Sequence, residues 1–403
     1  MSFASEIPYG AYWSTPFAKW QGALQHQHSL KFAASVAMVA LQERRIDTTS
    51  FDWVVLGMTI PQHQSFYGTP WFSGLVGAPQ ATGPTISQAC ATGARCLINA
   101  SQEIDSGGAT STLVVACDRT SNGAHLYYPQ PAGIGGTGVH EDWVLDNFMH
   151  EPLGGHSMLQ TAENVAQKHQ ITTAEQHDVV LRRYEQYQDA LKDDHAFQKR
   201  YMKLPFPVMD EKGRKQIGTL EGDEGVFATS PSALAKLKPV MKEGTVTFGG
   251  QTHPADGNAG LVLATPEKAR EMSRDPGIRI RIKGYGQSRV DLAYMPEAPI
   301  PAAQAALRQA NVKISDIAAI KSHNPFAVND IVFSRATGCD LNSMNNYGCS
   351  LIWGHPQAPT GLRAIIELIE ELVLRGGGLG LFHGCAAGDS SVAVVIEVSG
   401  ARA

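Results

Sequence analysis

The chain has 403 residues, 43% of them hydrophobic and 18% charged, with 40 glycines. That length predicts about two to three domains and supplies a large core without disulfide or metal staples. The net charge of −5 lacks the basic excess of a nucleic-acid binder, and the composition is globular rather than disordered, which excludes both classes.

The six cysteines, at 90, 96, 117, 339, 349 and 385, form no C-x-x-C pair and no zinc-ribbon spacing, so the expectation is free thiols and no metal. The N-terminus, MSFASEIPYG, has no basic stretch followed by an apolar one. The longest apolar run, Phe32–Leu41, is broken by Ser35 and is too short to span a bilayer. A cytoplasmic protein without membrane association is expected.

In chain order, Ser29–Arg45 places Leu30, Ala33, Ala34, Ala37 and Leu41 on one face and reads as a helix. Trp53–Ile60 is a buried strand by its continuous apolar run. Thr85–Ser87 is short and extended. After Cys90 a helical stripe of Ala94, Leu97, Ile98 and Ile104 runs to Gly107-Gly108, a glycine C-cap. Ala109–Cys117 is a second buried strand. Residues 125–243 break this pattern, being rich in Gly, His, Tyr and charge. A capping box at Thr172–Glu175 opens a polar helix through about Leu191, and the region reads as an inserted lid or binding subdomain.

The last third returns to the first plan. Ile278, Ile280 and Ile282 alternate with Arg279 and Arg281 in a half-exposed strand. Pro301–Ala310 is a helix and Ile317–Ile320 a strand. Thr360 is expected to cap a helix with Leu362, Ile365, Ile366, Ile369, Leu372 and Val373 inward. Gly376–Gly378 ends it, and Leu379–His383 and Val392–Val398 are strands. Cys90, helix, glycines, strand thus matches His355, helix, glycines, strand, which suggests a duplicated α/β unit with parallel crossovers.

Four positions can carry chemistry. Cys90, in SQACATGARC, sits at a helix N-terminus, where backbone N–H groups and the macrodipole favour a thiolate; read alone, a buried structural cysteine fits equally well. His355, in WGHP, can deprotonate a thiol or donate to an oxyanion; alone it is an ordinary turn histidine. Cys385, in FHGCAAGD between two buried strands, offers a second thiol for acid–base work, or a core thiol. His323-Asn324-Pro325-Phe326 follows a strand at its carboxyl end, where α/β sheets place ligands; read alone, it fits an ordinary turn. Gly133–Gly138 fits G-x-G-x-x-G but follows no strand and opens no helix, so it reads as a loop. The His26/His28 pair lacks further ligands nearby.

Taken together these motifs resemble the thiolase superfamily over nearly the whole chain. SQACATGARC is similar to the family's nucleophile segment, TAENVAQKH followed by TAEQHD to its loop-domain helices, and LAKLKPVMKEGTVT to the run that returns to the N-terminal half before Asp256-Gly257. HNPF, GHP and the late cysteine follow in the family's order. The resemblance implies the five-layered thiolase fold, an α/β architecture of two duplicated domains plus a loop domain. The boundaries it implies are an N-terminal domain 1–124 completed by 244–272, a loop domain 125–243 for coenzyme A binding and oligomerisation, and a C-terminal domain 273–403.

The resemblance also implies a CoA-dependent acyltransferase working through a cysteine acyl-enzyme. Cys90 would be the nucleophile, His355 its activator and later a holder of the thioester oxygen, and Cys385 the proton shuttle at the substrate α-carbon. His323 stands where the family's asparagine holds a water, and becomes a direct oxyanion donor. Lys212, Arg214 and Lys215 would lie near the CoA nucleotide, Thr252 near the pantetheine, and Met158, Phe326 and Ala327 along the pantetheine and acyl channel. No permanently bound cofactor is implied, since CoA and acyl-CoA are substrates. A homodimer or dimer of dimers is implied, and a small zinc-ribbon/OB-fold companion subunit, used by some atypical bacterial thiolases, stays an option.

The chain departs from the family at several of these motifs. HNPF replaces the Asn-Glu-Ala-Phe of many thiolases, Cys385-Ala386-Ala387 replaces Cys-x-Gly, Gln357-Ala358 stands for x-Gly, and Gly249-Gly250 for Gly-Asn. Thiolytic, β-oxidation-like cleavage of a 3-oxoacyl-CoA is the leading expectation; the acyl group can be linear, branched or aromatic, and these departures lean towards a non-standard one. A condensing biosynthetic thiolase, a ketosynthase-like enzyme and a non-catalytic acyl-CoA-binding scaffold are the alternatives.

Overall fold

The computed structural model describes residues 3–402. The first half comprises β1 (Tyr12–Ser14), β2 (Ala18–Lys19), α1 (Ser29–Glu43), β3 (Trp53–Gly57), α2 (Thr69–Val76), β4 (Thr85–Ile86), α3 (Thr92–Asp105) and β5 (Ser111–Arg119). The intervening region holds a hairpin, β6 (His125–Pro129) and β7 (Gly138–Asp142), then α4 (Leu145–Met149), α5 (Met158–Lys168) and α6 (Thr173–His195). A second hairpin, β8 (Phe206–Met209) and β9 (Gln216–Leu220), and the short α7 (Pro231–Leu234) complete it. β10 (Ala255–Ala264) and α8 (Pro266–Met272) follow. The last part runs β11 (Arg279–Arg289), α9 (Pro299–Ala310), β12 (Ile317–His323), α10 (Ala327–Thr337), α11 (Ser350–Trp353), α12 (Ala358–Leu374), β13 (Gly378–Ala386) and β14 (Ser390–Ser399).

Two sheets carry the architecture. One runs β1-β10-β5-β3-β4 with β2 on β10; the other runs β11-β14-β13-β12. In the first, β3 and β5 are parallel and β10 is antiparallel to β5 and β1. In the second, β12 and β13 are parallel and β14 is antiparallel to β13 and β11. The strand orders therefore superimpose as β1-β10-β5-β3 on β11-β14-β13-β12, with α3 leading into β5 as α12 leads into β13. The duplication read from the Cys90 and His355 segments is this repeat.

The layers follow from what each face must bury. α1 covers the outer face of the first sheet, α3 and α12 lie between the sheets, and α9 covers the outer face of the second. That makes five layers. β10, covered on both faces, is buried at every position. The helices α3 and α12 touch backbone to backbone: a Cβ on Gly93 would stand 2.6 Å from the Ala358 carbonyl oxygen and 2.8 Å from the Leu362 nitrogen. Only glycine permits that approach, and it draws the starts of both helices together.

Two expectations change at α12. The helix is not amphipathic with one solvated face; it is buried on all sides from Ala358 to Val373. Its charges are therefore paired: Arg363 binds Asp223 at 2.5 and 2.7 Å, and Glu367 accepts from Arg363 and from Lys321, each at 3.0 Å. Nor does Thr360 cap it. Pro359 sits in the first turn, Gln357 occupies the N-cap position at φ 63°, and the Thr360 hydroxyl is taken by His355.

In the region between the halves, the Thr172–Glu175 capping box is fully formed, and regular helix persists to Leu191 before Lys192, Asp193 and Asp194 leave helical geometry. Gly135 and Gly136, at φ 71° and 68°, sit in the connection between β6 and β7, as expected of a loop. Among the described residues no helix is long and apolar enough to cross a membrane.

Candidate active site

β4 feeds through Ser87 and Gln88 into a tight turn at Ala89, whose φ is 45°. Thr92 pins that turn, its hydroxyl accepting from the Gln88 N–H at 2.8 Å and donating to the Ala89 carbonyl at 2.7 Å. Cys90 is left half-buried at the wall of a cavity of about 1010 Å³ with mostly apolar walls. From the other half, Gly354 (φ 94°) reverses the chain after α11. The His355 N–H then donates to the His253 carbonyl at 2.9 Å, and its carbonyl accepts from Ala255 at the start of β10. His355 Nδ1 lies 2.7 Å from Thr360 Oγ1, and its Nε2 has no partner.

His323 ends β12. Its Nδ1 lies 2.9 Å from Ser350 Oγ, and its buried Nε2 has no partner either. The two rings stack with centroids 4.0 Å apart at 28°. Cys90 Sγ and one nitrogen from each ring lie within 4.8 Å of one another. Cys385, near the end of β13, is fully buried and accepts from Asn329 Nδ2 at 3.3 Å. Ala387, two residues after Cys385, lines the same cavity as Cys90.

The electrostatics reverse the expectation of a resting thiolate. Burial pushes the Cys90 thiol up to about 11, against the pull of the Ala387 N–H and its own amide. Cys90 precedes Ala91, the N-cap of α3, so it stands outside the first turn where the helix field is strongest. Burial pulls His323 down to about 3 and His355 well below its ordinary value. At neutral pH the trio is one thiol and two neutral imidazoles. Burial, then the neighbouring Cys90, raises Cys385 well above the ordinary thiol range.

Several positioning residues had no sequence signal. Asp118, inside β5, accepts from the Thr59 and Ile60 N–H groups at 2.9 and 3.0 Å, from Thr59 Oγ1 at 2.7 Å, and from the Ala358 N–H at 2.9 Å. It thereby ties the start of α12 to the first half, and burial pushes its carboxyl up to about 7. Asp330, buried under His323-Asn324, accepts from Arg183 at 2.8 Å and from Asn324 Nδ2 at 2.7 Å. Both are lone carboxylates in apolar segments, and only the tertiary contacts reveal their work.

Of the other sequence candidates, Met158, Thr252 and Phe326 line the cavity with Cys90 and His355. The Thr252 hydroxyl donates to the Ser350 carbonyl at 2.5 Å. Ala327 is buried in the first turn of α10 beside Phe326, outside the cavity wall. Lys212, Arg214 and Lys215 lie exposed in the turn between β8 and β9 and do not line the cavity. Trp143, Phe148, Phe227 and Phe248, which no motif singles out, do line it.

Family profiles described as "Thiolase, N-terminal domain" and "Thiolase, C-terminal domain" match residues 11–267 and 277–398. The chain belongs to the thiolase family. As a thiolase-family member it is 28% identical over 391 residues to the human mitochondrial 3-ketoacyl-CoA thiolase, covering 95% of this chain and 96% of that one. It is also 28% identical over 395 residues to the acetyl-CoA acetyltransferase of Escherichia coli K12, with the same coverage. The crystal structure of the human mitochondrial 3-ketoacyl-CoA thiolase in complex with CoA is similar to this thiolase-family chain at a TM-score of 0.88 and 26% identity, over 99% of each chain.

Proposed function

We propose that the chain is a CoA-dependent thiolase that cleaves a 3-oxoacyl-CoA through an acyl-enzyme on Cys90. The observation that carries this reading is that Cys90, His355 and Ala387 line one large, mostly apolar cavity, with Cys385 buried two residues before Ala387. As the Cys90 sulfur attacks the 3-oxo carbon, its proton passes to His355 Nε2. The C2–C3 bond breaks, the acyl group stays on Cys90, and the electron pair on C2 takes a proton from Cys385. The incoming CoA thiol returns a proton to Cys385 and attacks the acyl thioester. Cys90 leaves as thiolate and recovers its proton from His355. Neutral resting partners suit this sequence, because the nucleophile forms only as substrate arrives.

In this reading residues 125–243, between the halves, form the CoA-binding loop domain. Lys212, Arg214 and Lys215 hold the nucleotide phosphates, and Met158, Thr252 and Phe326 guide the pantetheine, with Ala327 supporting Phe326. Trp143, Phe148 and Phe227 in the cavity wall favour a branched or aromatic acyl group. The protein works in the cytoplasm as a homo-oligomer. The test is CoA-dependent loss of 3-oxoacyl-CoA absorbance over a panel of linear, branched and aromatic substrates. No turnover of any of them would refute the proposal, and turnover of linear substrates alone would refute the acyl preference.

A further inference from the structure

The cluster that performs the proposed chemistry is also a set of soft ligands. We propose that Cys90, His323 and His355 bind a single soft divalent cation, Zn²⁺ being the type case, and that occupancy masks the nucleophile and blocks acylation. Three observations carry this. One sulfur and two imidazole nitrogens lie within 4.8 Å of one another. Both Nε2 atoms are buried without a partner, while both Nδ1 atoms are held by hydroxyls, Ser350 Oγ at 2.9 Å and Thr360 Oγ1 at 2.7 Å. Histidines that bind metal show this arrangement, one nitrogen on the ion and the other donating to an outer partner that fixes the ring.

Ser350 suits that outer role. Its oxygen accepts from the Asn324 N–H at 3.1 Å and its proton points to Asn324 Oδ1 at 3.2 Å, so toward His323 it is free to accept. That places the proton on Nδ1 and the lone pair on Nε2. One sulfur and two nitrogens without a carboxylate select zinc-like ions over Mg²⁺ or Ca²⁺. Tetrahedral bonds of about 2.0–2.3 Å put donor atoms roughly 3.3–3.8 Å apart, so the ligands close in by about 1 Å. Cys90 borders the cavity and can rotate to do so. The cavity leaves the fourth position open to water or a thiol. The Cys90 thiol gives up its proton when its sulfur binds the ion. His323 decides the site, because without it only two ligands remain.

The test uses the full chain stripped with a chelator and titrated anaerobically with Co²⁺, with Zn²⁺ as competitor. The expected result is one equivalent bound with a thiolate-to-cobalt charge-transfer band, bleached by Zn²⁺, with one proton released per ion. Zn²⁺ should also protect Cys90 from iodoacetamide in peptide mapping. His323→Ala and His355→Ala should each weaken binding at least about tenfold, and Cys90→Ser should abolish the band. His323→Asn, which keeps the packing, replaces His323→Ala if that variant fails to fold. A His125→Ala/His140→Ala variant removes the surface pair whose rings stack at 5.3 Å and should leave the band intact. A band that survives in Cys90→Ser, unchanged affinity in both His323 variants, or unprotected Cys90 at saturating Zn²⁺ overturns the proposal. None of these readouts needs turnover, so failure here and failure of the thiolase reading are distinguishable.

Discussion

Replacing His323 probes whether its imidazole donates directly to the substrate oxygen. Nε2 is buried without a partner, and one nitrogen of the ring lies within 4.8 Å of Cys90 Sγ and a His355 nitrogen. Nε2 donates only when the proton sits there, which requires Ser350 Oγ to donate to Nδ1 across 2.9 Å. A developing oxyanion draws the ring into that tautomer; a metal ion would draw it into the other. Losing one such donor costs about 10²–10³ in kcat, or about 2.7–4 kcal/mol of barrier. The structural cost of His323→Ala is separate. It removes a ring stacked at 4.0 Å, worth about 0.5–1.5 kcal/mol, and one hydrogen bond, worth about 1 kcal/mol. Relief of the unpartnered Nε2 offsets part of this. The variant should therefore fold, with a modestly lower Tm and a kcat two to three orders of magnitude down, on the usual scale for one oxyanion donor. His323→Asn should recover part of the rate by restoring a carboxamide donor. Because burial holds His323 down near 3, the wild-type kcat should show no His323 limb across neutral pH. Steady-state kinetics and thermal unfolding on the same preparations decide the matter: a folded His323→Ala enzyme with unchanged kcat refutes the oxyanion role.

Other outcomes follow from the same geometry. Cys90→Ser should abolish acyl transfer in a folded protein, and mass spectrometry of the wild type with acyl-CoA should find the adduct on the Cys90 peptide; an adduct on Cys385 alone would falsify the assignment. Cys385→Ala should lose C–C cleavage yet still acylate Cys90, and near-wild-type cleavage would make Cys385 structural. Lys212→Ala/Arg214→Ala should raise KM for CoA with little change in kcat, as expected of contacts remote from the reacting atoms; equal wild-type kinetics with CoA and a truncated pantetheine thiol would contradict that. Acid stability tests the buried histidines. Burial lowers His383, which stacks on Phe333, to about 4. The unfolded chain therefore binds the extra proton as pH falls below about 6.5, and stability is lost from there down to the folded value. Between pH 7 and 5 this one group costs about 2 kcal/mol. Denaturant unfolding of His383→Leu should show a loss smaller by that amount, and identical losses in both proteins would exclude the effect.

Periodicity and punctuation made most elements legible. The apolar stripes of α1 and α3 came through because a helix buries one face at a 3.6-residue period, and β3, β5, β13 and β14 because strands buried on both faces read as short apolar runs. Cys90, His355, Cys385 and His323 were legible because each lies in a short motif with small or turn-forming neighbours. α12 misled in one respect: its stripe was real, yet its polar face is buried too, and only the ion pairs of Arg363 and Glu367 explain how.

Local order along the chain was enough to read the duplicated wiring and the candidate residues Cys90, His323, His355 and Cys385. Tertiary structure decided what those residues are like. It brings Cys90 from the first half within 4.8 Å of His355 and His323 from the second, through the Gly93–Ala358 contact of two helices remote in sequence. It removes water, so that Cys90 rests as a thiol and both histidines stay neutral. It also recruits Asp118, Ser350 and Thr360 to hold the site. Desolvation and hydroxyl partners come from whatever packs against a side chain in space, and no spacing along the chain encodes them.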